Sequence, residues 1–219
     1  MPDDRHQIAN AVCLERAAEI AERFPQKRVR LYDANRIGSD LSASGERHLR
    51  DWMTKRNVEL HDEERVTDAD AGLVLWCTRF ALSPIARDAA LEVNERGQII
   101  VDDHLCSSDP SIFAIGDAAV FGNIRMGCVS AMPMAAYVAD FIAGATTDPF
   151  RFAFAIRCIS LGRRDALIQF VNADDTPRDR IMTGRRAAWV KEFICRYVMM
   201  SIRLERVGLH YSWPKTAAA

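Results

Sequence analysis

Apolar residues in the first third of the chain recur at the spacing of a helix and then at that of a strand. Between Cys13 and Arg23 they fall at positions i, i+3, i+4 and i+7, which is typical of the buried face of an amphipathic helix. This stripe consists of Leu14, Ala17, Ala18 and Ala21. The apolar run from Val29 to Tyr32 that follows Pro25 predicts a short strand.

The next segment repeats this order of helix and strand. Residues Ser42 to Lys55 form the second predicted helix, with Leu49, Trp52 and Met53 facing inward, and residues 57–61 form the second strand. Alternating helices and strands at this spacing favour a parallel sheet built from βαβ units. The apolar run from Leu73 to Cys77 is short enough to be a further buried strand of that sheet.

The middle of the chain predicts a hairpin, a strand and a helix. Residues 91–105 read as a hairpin with Gly97 in its turn, and the apolar run 112–115 reads as a buried strand that ends at Gly116. A helix is expected from about Met132 to Gly144, because Pro133 suits a first helical turn and glycine suits a helix end.

The last third predicts a small region of strands followed by one long helix. Two β-prone runs, 151–160 and 166–171, are separated by a short polar turn and form a second expected hairpin. Residues 172–179 read as a polar turn, and Thr183 is placed to cap a helix from about Arg185 to Glu205. The predicted fold class is therefore α/β, with a small α+β region at the C-terminus.

Composition narrows the class of protein. The 219 residues are 49% hydrophobic and 27% charged, with no apolar run near the roughly 18 residues of a membrane span and no secretory leader. The six cysteines include no C-x-x-C pair and none at metal-ligand spacing from a histidine. We therefore predict an intracellular, cytoplasmic protein with isolated reduced thiols, no metal and no redox-active dithiol.

Charge is distributed unevenly along the chain. Residues 1–150 carry 16 Lys and Arg against 24 Asp and Glu, a net charge of −8, whereas residues 151–219 carry 13 against 6, a net charge of +7. A basic C-terminal region is compatible with a nucleic acid, with an anionic lipid surface, or with attraction between two lobes of one protein. No nucleic-acid recognition motif accompanies it, so no nucleic acid is expected as a partner.

The dipeptide Gly116-Asp117 carries the clearest chemical signal. A glycine at a strand end allows close approach of a ligand that a Cβ atom would block. A carboxylate at the carboxyl edge of an α/β sheet is placed to accept hydrogen bonds from ribose or ribityl hydroxyls, and a nearby helix start favours an electron-rich group. The residue pattern alone leaves a plain tight turn as the alternative.

Several motifs resemble one family of enzymes in the right order. Residues 107–119, SSDPSIFAIGDAA, resemble the second flavin-contacting motif of the FAD-dependent pyridine nucleotide oxidoreductases. The run RMGCVSAMPMAAYVADFIAG is similar to the helix start over the flavin ring in that superfamily. CISLGRRDALIQFV resembles the C-terminal region of bacterial type II NADH dehydrogenase-like proteins, and residues 31–61 resemble part of their NAD-binding domain.

The resemblance implies incomplete Rossmann-like FAD- and NAD(P)-binding halves and a set of site residues. It implies a partial NAD(P)-binding domain at 1–78, the C-terminal part of an FAD-binding domain at 79–147, and a dimerisation or surface-attachment region at 148–219. Glu15 corresponds to the glutamate beside the nicotinamide, where we expect it to be catalytic, and Asp33 to the acid that accepts from the NAD ribose. The FAD contacts that it implies are Gly116, Asp117, Ala118 and the backbone N–H groups of Met132, Met134 and Ala135.

The sequence also departs from the family. It contains no G-x-G-x-x-G turn. In the family the glycine turn of the NAD site precedes the position of Glu15, and here its glycines are replaced by Ile8, Ala9, Asn10 and Cys13. A later glycine of the family is replaced by Arg79. Cβ atoms there would block the approach of a pyrophosphate to the helix start. The FAD phosphate motif would precede Met1, so we expect a truncated chain with little activity on its own.

Two classes of function follow. The first is an oxidoreductase that passes hydride from NAD(P)H to FAD and on to a quinone or other acceptor, as a homodimer or with a chain that supplies the other half of the flavin site. The second is a non-catalytic remnant or assembly module, peripheral on the inner face of the cell membrane through the amphipathic helix after Thr183. A core-packing role is the alternative for that helix.

Overall fold

The chain forms two compact units. The structure, a computed structural model, describes residues 9–66, 71–77, 82–205 and 211–216. The described residues up to Cys77 form one unit with those from Phe154 to Glu205, and Leu82 to Ala153 form the other with residues 211–216. These divisions lie close to the predicted boundaries at 78 and 147, but the first and third predicted regions share a unit.

The N-terminal half of the first unit is a βαβ arrangement, as predicted. Helix α1 (Ala9–Arg23) precedes strand β1 (Val29–Tyr32), helix α2 (Ala43–Thr54) and strand β2 (Val58–His61). The two strands pair in parallel, with Val29 opposite Val58. Ser42 caps α2, since its hydroxyl accepts from the Gly45 N–H. The predicted inward residues of both helices are buried in one core: Leu14, Ala17, Ala18, Ala21, Leu49, Trp52 and Met53.

The C-terminal half of the first unit is an antiparallel sheet and one long helix. Strands β5 (Ile156–Ser160), β6 (Ala166–Val171) and β7 (Pro177–Met182) pair in that order, and helix α5 spans Gly184–Glu205. The predicted hairpin and helix are confirmed. The predicted polar turn over 172–179 is wrong in its second half, because β7 begins at Pro177. Its first four residues are exposed, so it has no apolar alternation to mark it as a strand.

One buried side chain ties the two halves of the first unit together. The amide of Gln169, on β6, is fully buried, and its Oε1 accepts from both the N–H (3.0 Å) and the hydroxyl (2.8 Å) of Ser42. Its Nε2 donates to the carbonyl oxygens of Phe170 and Arg178. Gln169 and Ser42 are both buried, so their hydrogen bonds fix the start of α2 against the antiparallel sheet.

The second unit has short strands around one helix. Helix α3 (Ile85–Asp88) precedes strand β3 (Ile99–Ile100), a 3₁₀ turn (Gly116–Ala118), strand β4 (Ala119–Val120) and helix α4 (Cys128–Ile142). Strands β3 and β4 pair in parallel. The predicted hairpin is present around Gly97, which has φ +84° and lies between Val93 and Ile99, residues that pair in antiparallel. Aromatic rings of Tyr137, Phe141 and Phe150 pack around α4.

Two predicted strands are wrong. Residues 73–77 belong to no strand, and Leu73 and Trp76 are 74% and 59% exposed, since the parallel sheet of this unit consists of β1 and β2 in the described residues. Residues 112–115 make one isolated pair, Phe113 with Cys106, and the strand of this region comes after the glycine turn instead. Apolar runs alone therefore overstate strand content where no neighbouring strand completes the ladder.

Candidate functional site

The Gly116–Ala118 turn is packed directly onto helix α4. Gly116 has φ +62°, a conformation that favours glycine, and its N–H contacts the sulfur of Met134 at 3.3 Å. A Cβ atom on Gly116 would lie 3.1 Å from the Cβ of Ala131. The close approach that this glycine permits is thus the approach of the turn to α4, whereas the sequence predicted the approach of a ligand.

Asp117 connects this turn to the start of α4. Its Oδ1 accepts from the N–H of Gly127, the residue before the helix, at 2.9 Å. From behind, the buried amide of Gln98 donates to the carbonyl oxygens of Asp117 (3.2 Å) and Ala119 (3.1 Å). Within the described ranges Oδ2 of Asp117 has no hydrogen-bond partner, and the side chain is partly exposed. One carboxylate oxygen is therefore available beside a helix start.

Helix α4 begins one turn earlier than the sequence indicated. Its first residue is Cys128, and Gly127 precedes it with φ +147°. The prediction that it begins near Met132 is wrong, because Pro133 lies inside the helix. Proline has no N–H to donate to the carbonyl of Val129, so α4 lacks one internal hydrogen bond at this position.

The other predicted flavin contacts differ in their surroundings. Met132 is half-buried, Met134 is buried against Gly116, and Ala118 and Ala135 are exposed. Met132, Met134 and Ala135 lie beyond the first four residues of α4, so their N–H groups are positioned to donate to carbonyls within the helix. The structure brings Gly116, Asp117 and Met134 together, and the flavin contacts of this set remain predictions.

Asp33 lies at the carboxyl end of the parallel β1–β2 pair. Its backbone N–H donates to the carbonyl of His61 at 3.1 Å, and its Oδ1 accepts from the N–H of Asn35 at 2.8 Å. The second interaction is a local turn in which an aspartate caps its own backbone two residues on. This edge of a parallel sheet is where α/β proteins bind nucleotides, and the role of Asp33 as a ribose acceptor remains a prediction.

Glu15 is held by two groups from the C-terminal half of its unit. Its Oε1 lies 3.1 Å from Nζ of Lys191, on α5, and accepts from the N–H of Ser160 at 3.0 Å. Burial opposes the charge of Lys191, but the Glu15 carboxylate outweighs this effect and the pKa of Lys191 is raised. Nζ also donates to the carbonyl of Cys158 at 3.2 Å. Glu15 thus has a structural role that the sequence did not indicate, and its catalytic role remains a prediction.

The structure describes only some of the positions at which the sequence departs from the family's glycine turn. Ile8 and Arg79 lie outside the described residues. Cys13 is a free cysteine on α1 and packs against the main core.

Comparison with known proteins bears on this arrangement. Residues 47–140, which include Gly116, Asp117 and most of α4, match the family model of the pyridine nucleotide-disulphide oxidoreductases. This segment, somewhat less than half of the chain, is similar to that family. Enzymes of the family use FAD and NAD(P)H.

One curated relative and two solved structures place this relationship in context. A rubredoxin–NAD(+) reductase of Ectopseudomonas oleovorans is 40% identical over 93 residues, which cover 38% of this chain and 24% of the relative. The sulfide:quinone oxidoreductase of Aquifex aeolicus is 16% identical with a TM-score of 0.62, covering 88% of this chain and 54% of that one.

The second structure is a covalent complex of putidaredoxin reductase with putidaredoxin. It is 20% identical with a TM-score of 0.58 and covers 75% of this chain and 45% of that one. At these identities the structural likeness establishes the fold, which confirms the predicted FAD/NAD(P)-binding type. The chain spans about a quarter of the length of the curated relative and about half that of the structural neighbours.

Sequence reasoning missed two residues that hold the candidate site residues in place, Gln98 and Lys191. Gln98 is a polar residue immediately before an apolar pair, and Lys191 lies within an amphipathic helix full of basic side chains. An isolated buried amide in a β-prone run is a weak sequence signal, because most amides in such runs face water. Their roles depend on which elements pack against them, and this is tertiary information.

Proposed function

We propose that this chain contributes to a FAD-dependent oxidoreductase that accepts hydride from NAD(P)H and passes the electrons to a further acceptor. The family relationship supports this proposal, and one observation carries it: the Asp117 carboxylate has one oxygen bound to Gly127 and the other available beside the start of α4. FAD would supply the hydride-accepting ring and transfer electrons onward when bound.

The residues of the second unit fit one end of that cofactor. Oδ2 of Asp117 would accept from a ribityl hydroxyl, and the N-terminal end of α4 would favour negative charge on the ring. Gln98 holds the Asp117 backbone from behind, which keeps the carboxylate in place without a ligand. The proposed contribution of this unit is to bind and orient the cofactor in a preorganised turn.

The pyridine nucleotide would bind at the carboxyl end of β1. Asp33 would accept from its ribose through Oδ2, since Oδ1 is used by the Asn35 N–H. Cys13 and the other replacements of the family's glycines would weaken the pyrophosphate contact. Glu15 would reach the nicotinamide only after release from Lys191, so we propose that Glu15 acts mainly by positioning α1.

The acceptor proposed is a small electron-carrying protein or a quinone. The curated relative is named for rubredoxin, one structural neighbour is bound to putidaredoxin, and another is named for a quinone. The NADH dehydrogenase-like function is the version of this proposal in which the acceptor is a quinone. A homodimer or a complementing chain would supply the remainder of the flavin site.

Flavin retention by the purified chain tests the proposal. After incubation with FAD and desalting, the flavin absorbance bands should remain with the wild type and fall by about tenfold in Asp117→Asn, since one charge-assisted hydrogen bond is worth about 1.5–3 kcal/mol. Asp140→Asn, in the same helix region but with no place in the turn, is the matched control. A flavin-free wild type, or equal retention by both variants, would contradict the proposed flavin site.

A second candidate function, attachment to a membrane surface, has its own observation. On α5 the rings of Trp189, Phe193 and Tyr197 form a stacked row with centroid separations of 5.9 and 6.2 Å. They are 70%, 50% and 37% exposed, and Met200 extends the row. Helical spacing places Arg185, Arg196 and Arg203 along one flank of it.

Aromatic residues beside arginines favour the interface of an anionic bilayer over its interior. No helix of the described residues is long and apolar enough to cross a membrane. We expect the chain to sediment with phosphatidylglycerol-containing vesicles at low salt and less so at high salt or in Trp189→Ser. Met199→Ser, exposed on another face of α5, should bind as the wild type does. Equal recovery without vesicles would overturn this candidate.

A further inference from the structure

A cleft lies within the first unit, where α1, α5 and the turn between β5 and β6 meet. Its volume is about 440 Å³, which is within the range of small-molecule sites. Five basic side chains line it, against three carboxylates. The basic residues are Arg163, Arg164, Arg185, Lys191 and Arg196. The cleft therefore has a surplus of positive charge.

Three of these basic side chains have a carboxylate partner. The pairs are Lys191–Glu15 at 3.1 Å, Arg196–Glu192 at 2.9 Å and Arg163–Glu19 at 3.9 Å. The third carboxylate of the cleft, Asp165, is engaged by the backbone, because its Oδ1 accepts from the N–H of Ala166 at 2.8 Å. Among the residues that the structure describes, the guanidinium groups of Arg164 and Arg185 have neither an ion pair nor a hydrogen bond. The surplus charge of the cleft thus belongs to these two arginines.

The turn between β5 and β6 is held at both ends before any ligand binds. On one side a carboxylate oxygen of Glu22, on α1, accepts from the N–H of Arg163. Gly162 (φ +71°) lies so close to α1 that a Cβ atom there would overlap this carboxylate. On the other side Oδ1 of Asp165 accepts from the N–H of Gly184, the first residue of α5, at 2.6 Å. The two unpaired arginines therefore extend from fixed backbone, which lowers the entropy cost of ordering them around a ligand.

The first turn of α5 departs from the usual charge preference of helices. The positive end of a helix dipole favours acidic side chains, yet this turn contains none and carries Arg185 and Arg186 instead. Arg185 shares the cleft with the second unpaired cation, Arg164, so the two repel each other there. A local rule that is broken in this way is typical of a binding site, because a bound group offsets the cost. An anion in the cleft would offset both unfavourable terms.

We propose that this cleft binds a small phosphate-bearing anion through the guanidinium groups of Arg164 and Arg185. The planar fork of an arginine donates two parallel hydrogen bonds to phosphate oxygens. The ring of Trp189 also lines the cleft and is 70% exposed, so it offers a flat apolar face to the organic part of such a ligand. A soluble phosphate ester and the headgroup of an anionic lipid share this chemistry. The site is independent of the proposed flavin site, whose residues belong to the other unit.

Alkylation of Cys195 measures binding, because this exposed cysteine lines the cleft. The reduced full chain is labelled with a limiting amount of N-ethylmaleimide, and peptide mapping gives the labelling rates of Cys195 and of Cys128, an exposed cysteine of the second unit. Inorganic pyrophosphate at constant ionic strength should slow the labelling of Cys195 and leave that of Cys128 unchanged.

Substitutions of the two unpaired arginines test their role directly. Arg164→Gln and Arg185→Gln should each raise the half-protecting concentration of pyrophosphate by about tenfold, since each removes one charge-assisted contact. Neither side chain has a partner to lose in the described part of the chain, so both variants should fold as the wild type does. Arg186→Gln is the matched control, because Arg186 is an exposed neighbour on α5 that does not line the cleft.

Phosphatidylglycerol vesicles in place of pyrophosphate distinguish the two sources of phosphate. Protection of Cys195 by pyrophosphate assigns the cleft to a soluble ligand. Protection by vesicles alone, weakened in Arg164→Gln and Arg185→Gln, assigns it to a lipid headgroup. The proposal is overturned if neither probe slows the labelling of Cys195, if sodium chloride at the same ionic strength slows it equally, or if Arg186→Gln weakens protection as much as the other two variants do.

Discussion

Nζ of Lys191 lies 3.1 Å from Oε1 of Glu15, and this ion pair joins helix α5 to helix α1. Both side chains are largely buried, with 24% of the Lys191 side chain and 31% of the Glu15 side chain exposed. The Ser160 N–H donates to the same carboxylate oxygen, so β5 takes part as well. The Glu15 carboxylate therefore links α1 to β5 and to α5.

Removing either charge of this pair should destabilise the first unit. We expect Glu15→Gln and Lys191→Met each to lower the free energy of unfolding by about 1–2 kcal/mol, because each leaves a partly buried charge without its partner. The double variant should lose less than the sum of the two. Urea unfolding measures all three.

The surface pair Glu192–Arg196 is the control for that cycle. Its side chains are 55% and 79% exposed, so Glu192→Gln should change the unfolding free energy by less than about 0.5 kcal/mol. Additive losses at Glu15 and Lys191 would contradict the structural role, and would restore the interpretation of Glu15 as a residue free to act on a nucleotide.

Sequence patterns predicted the helices and strands whose apolar residues recur regularly within one continuous segment of the chain. α1, β1, α2 and α5 each carry their own apolar period, and their bounds differ from the prediction by a few residues at most. β7 was missed, because four of its six residues are exposed and charged or turn-forming. The apolar run 73–77 was wrongly predicted to be a strand, because a buried strand needs neighbouring strands that the local sequence does not specify.

For the candidate site as well, the sequence predicted the residues of a local motif and missed the partners that are distant along the chain. Gly116 and Asp117 were found from a local motif, and the structure places them in one turn. The partners that fix them, Gln98 and Gly127, lie 10–19 residues away and carry no motif. Glu15 with Lys191 is a contact between distant segments, so it became visible only once the chain was folded.

Asp62 should make the first unit sensitive to acid. Arg50 donates to both of its carboxylate oxygens, at 3.0 and 2.6 Å, and lowers the pKa of Asp62 to about 2, with the Ile37 N–H adding to the effect. A carboxyl whose pKa is depressed by folding stabilises the folded state above its unfolded pKa of about 4. That stabilisation is lost as the pH falls from about 4 to about 2.

Asp62→Asn should therefore lose about 1–2 kcal/mol at neutral pH and show a shallower decline of stability below pH about 4. Thermal unfolding at a series of pH values measures this. Asp51→Asn, exposed on α2, should follow the wild-type profile. If Asp62→Asn and the wild type decline in parallel between pH about 4 and 2, the ion pair does not govern acid stability.

Gln169 should be one of the most sensitive polar positions in the chain. Replacement by Leu would keep its volume but leave the buried N–H of Ser42 without an acceptor, at a cost of about 1–3 kcal/mol, while the Ser42 hydroxyl would keep Ser44 Oγ at 3.1 Å. Unfolding in urea measures the loss. Ser44→Ala removes an exposed hydrogen bond to Asp179 and the contact with the Ser42 hydroxyl, but leaves Gln169 in place, and should cost less than about 1 kcal/mol. Similar losses of unfolding free energy in the two variants would contradict the proposal that Gln169 fixes the start of α2 against the antiparallel sheet.

The packing of the Gly116 turn on α4 can be measured separately from backbone strain. Gly116 (φ +62°) and Gly122 (φ +51°) have similar left-handed backbones, but a Cβ on Gly122 would meet nothing within 4 Å. Both Ala variants should therefore pay about 1 kcal/mol of strain, and Gly116→Ala should lose about 1–2 kcal/mol more through its 3.1 Å contact with Ala131.

Ala131→Gly removes the atom that a Cβ on Gly116 would meet. In a helix this change costs about 1 kcal/mol by itself, so the double variant with Gly116→Ala should be more stable than the sum of the two single losses by about 1 kcal/mol. Urea unfolding of the four proteins gives this coupling energy. A coupling near zero, or equal losses for Gly116→Ala and Gly122→Ala, would show that the turn does not pack on α4 as described, and the position of the Asp117 carboxylate at the helix start would lose its physical basis.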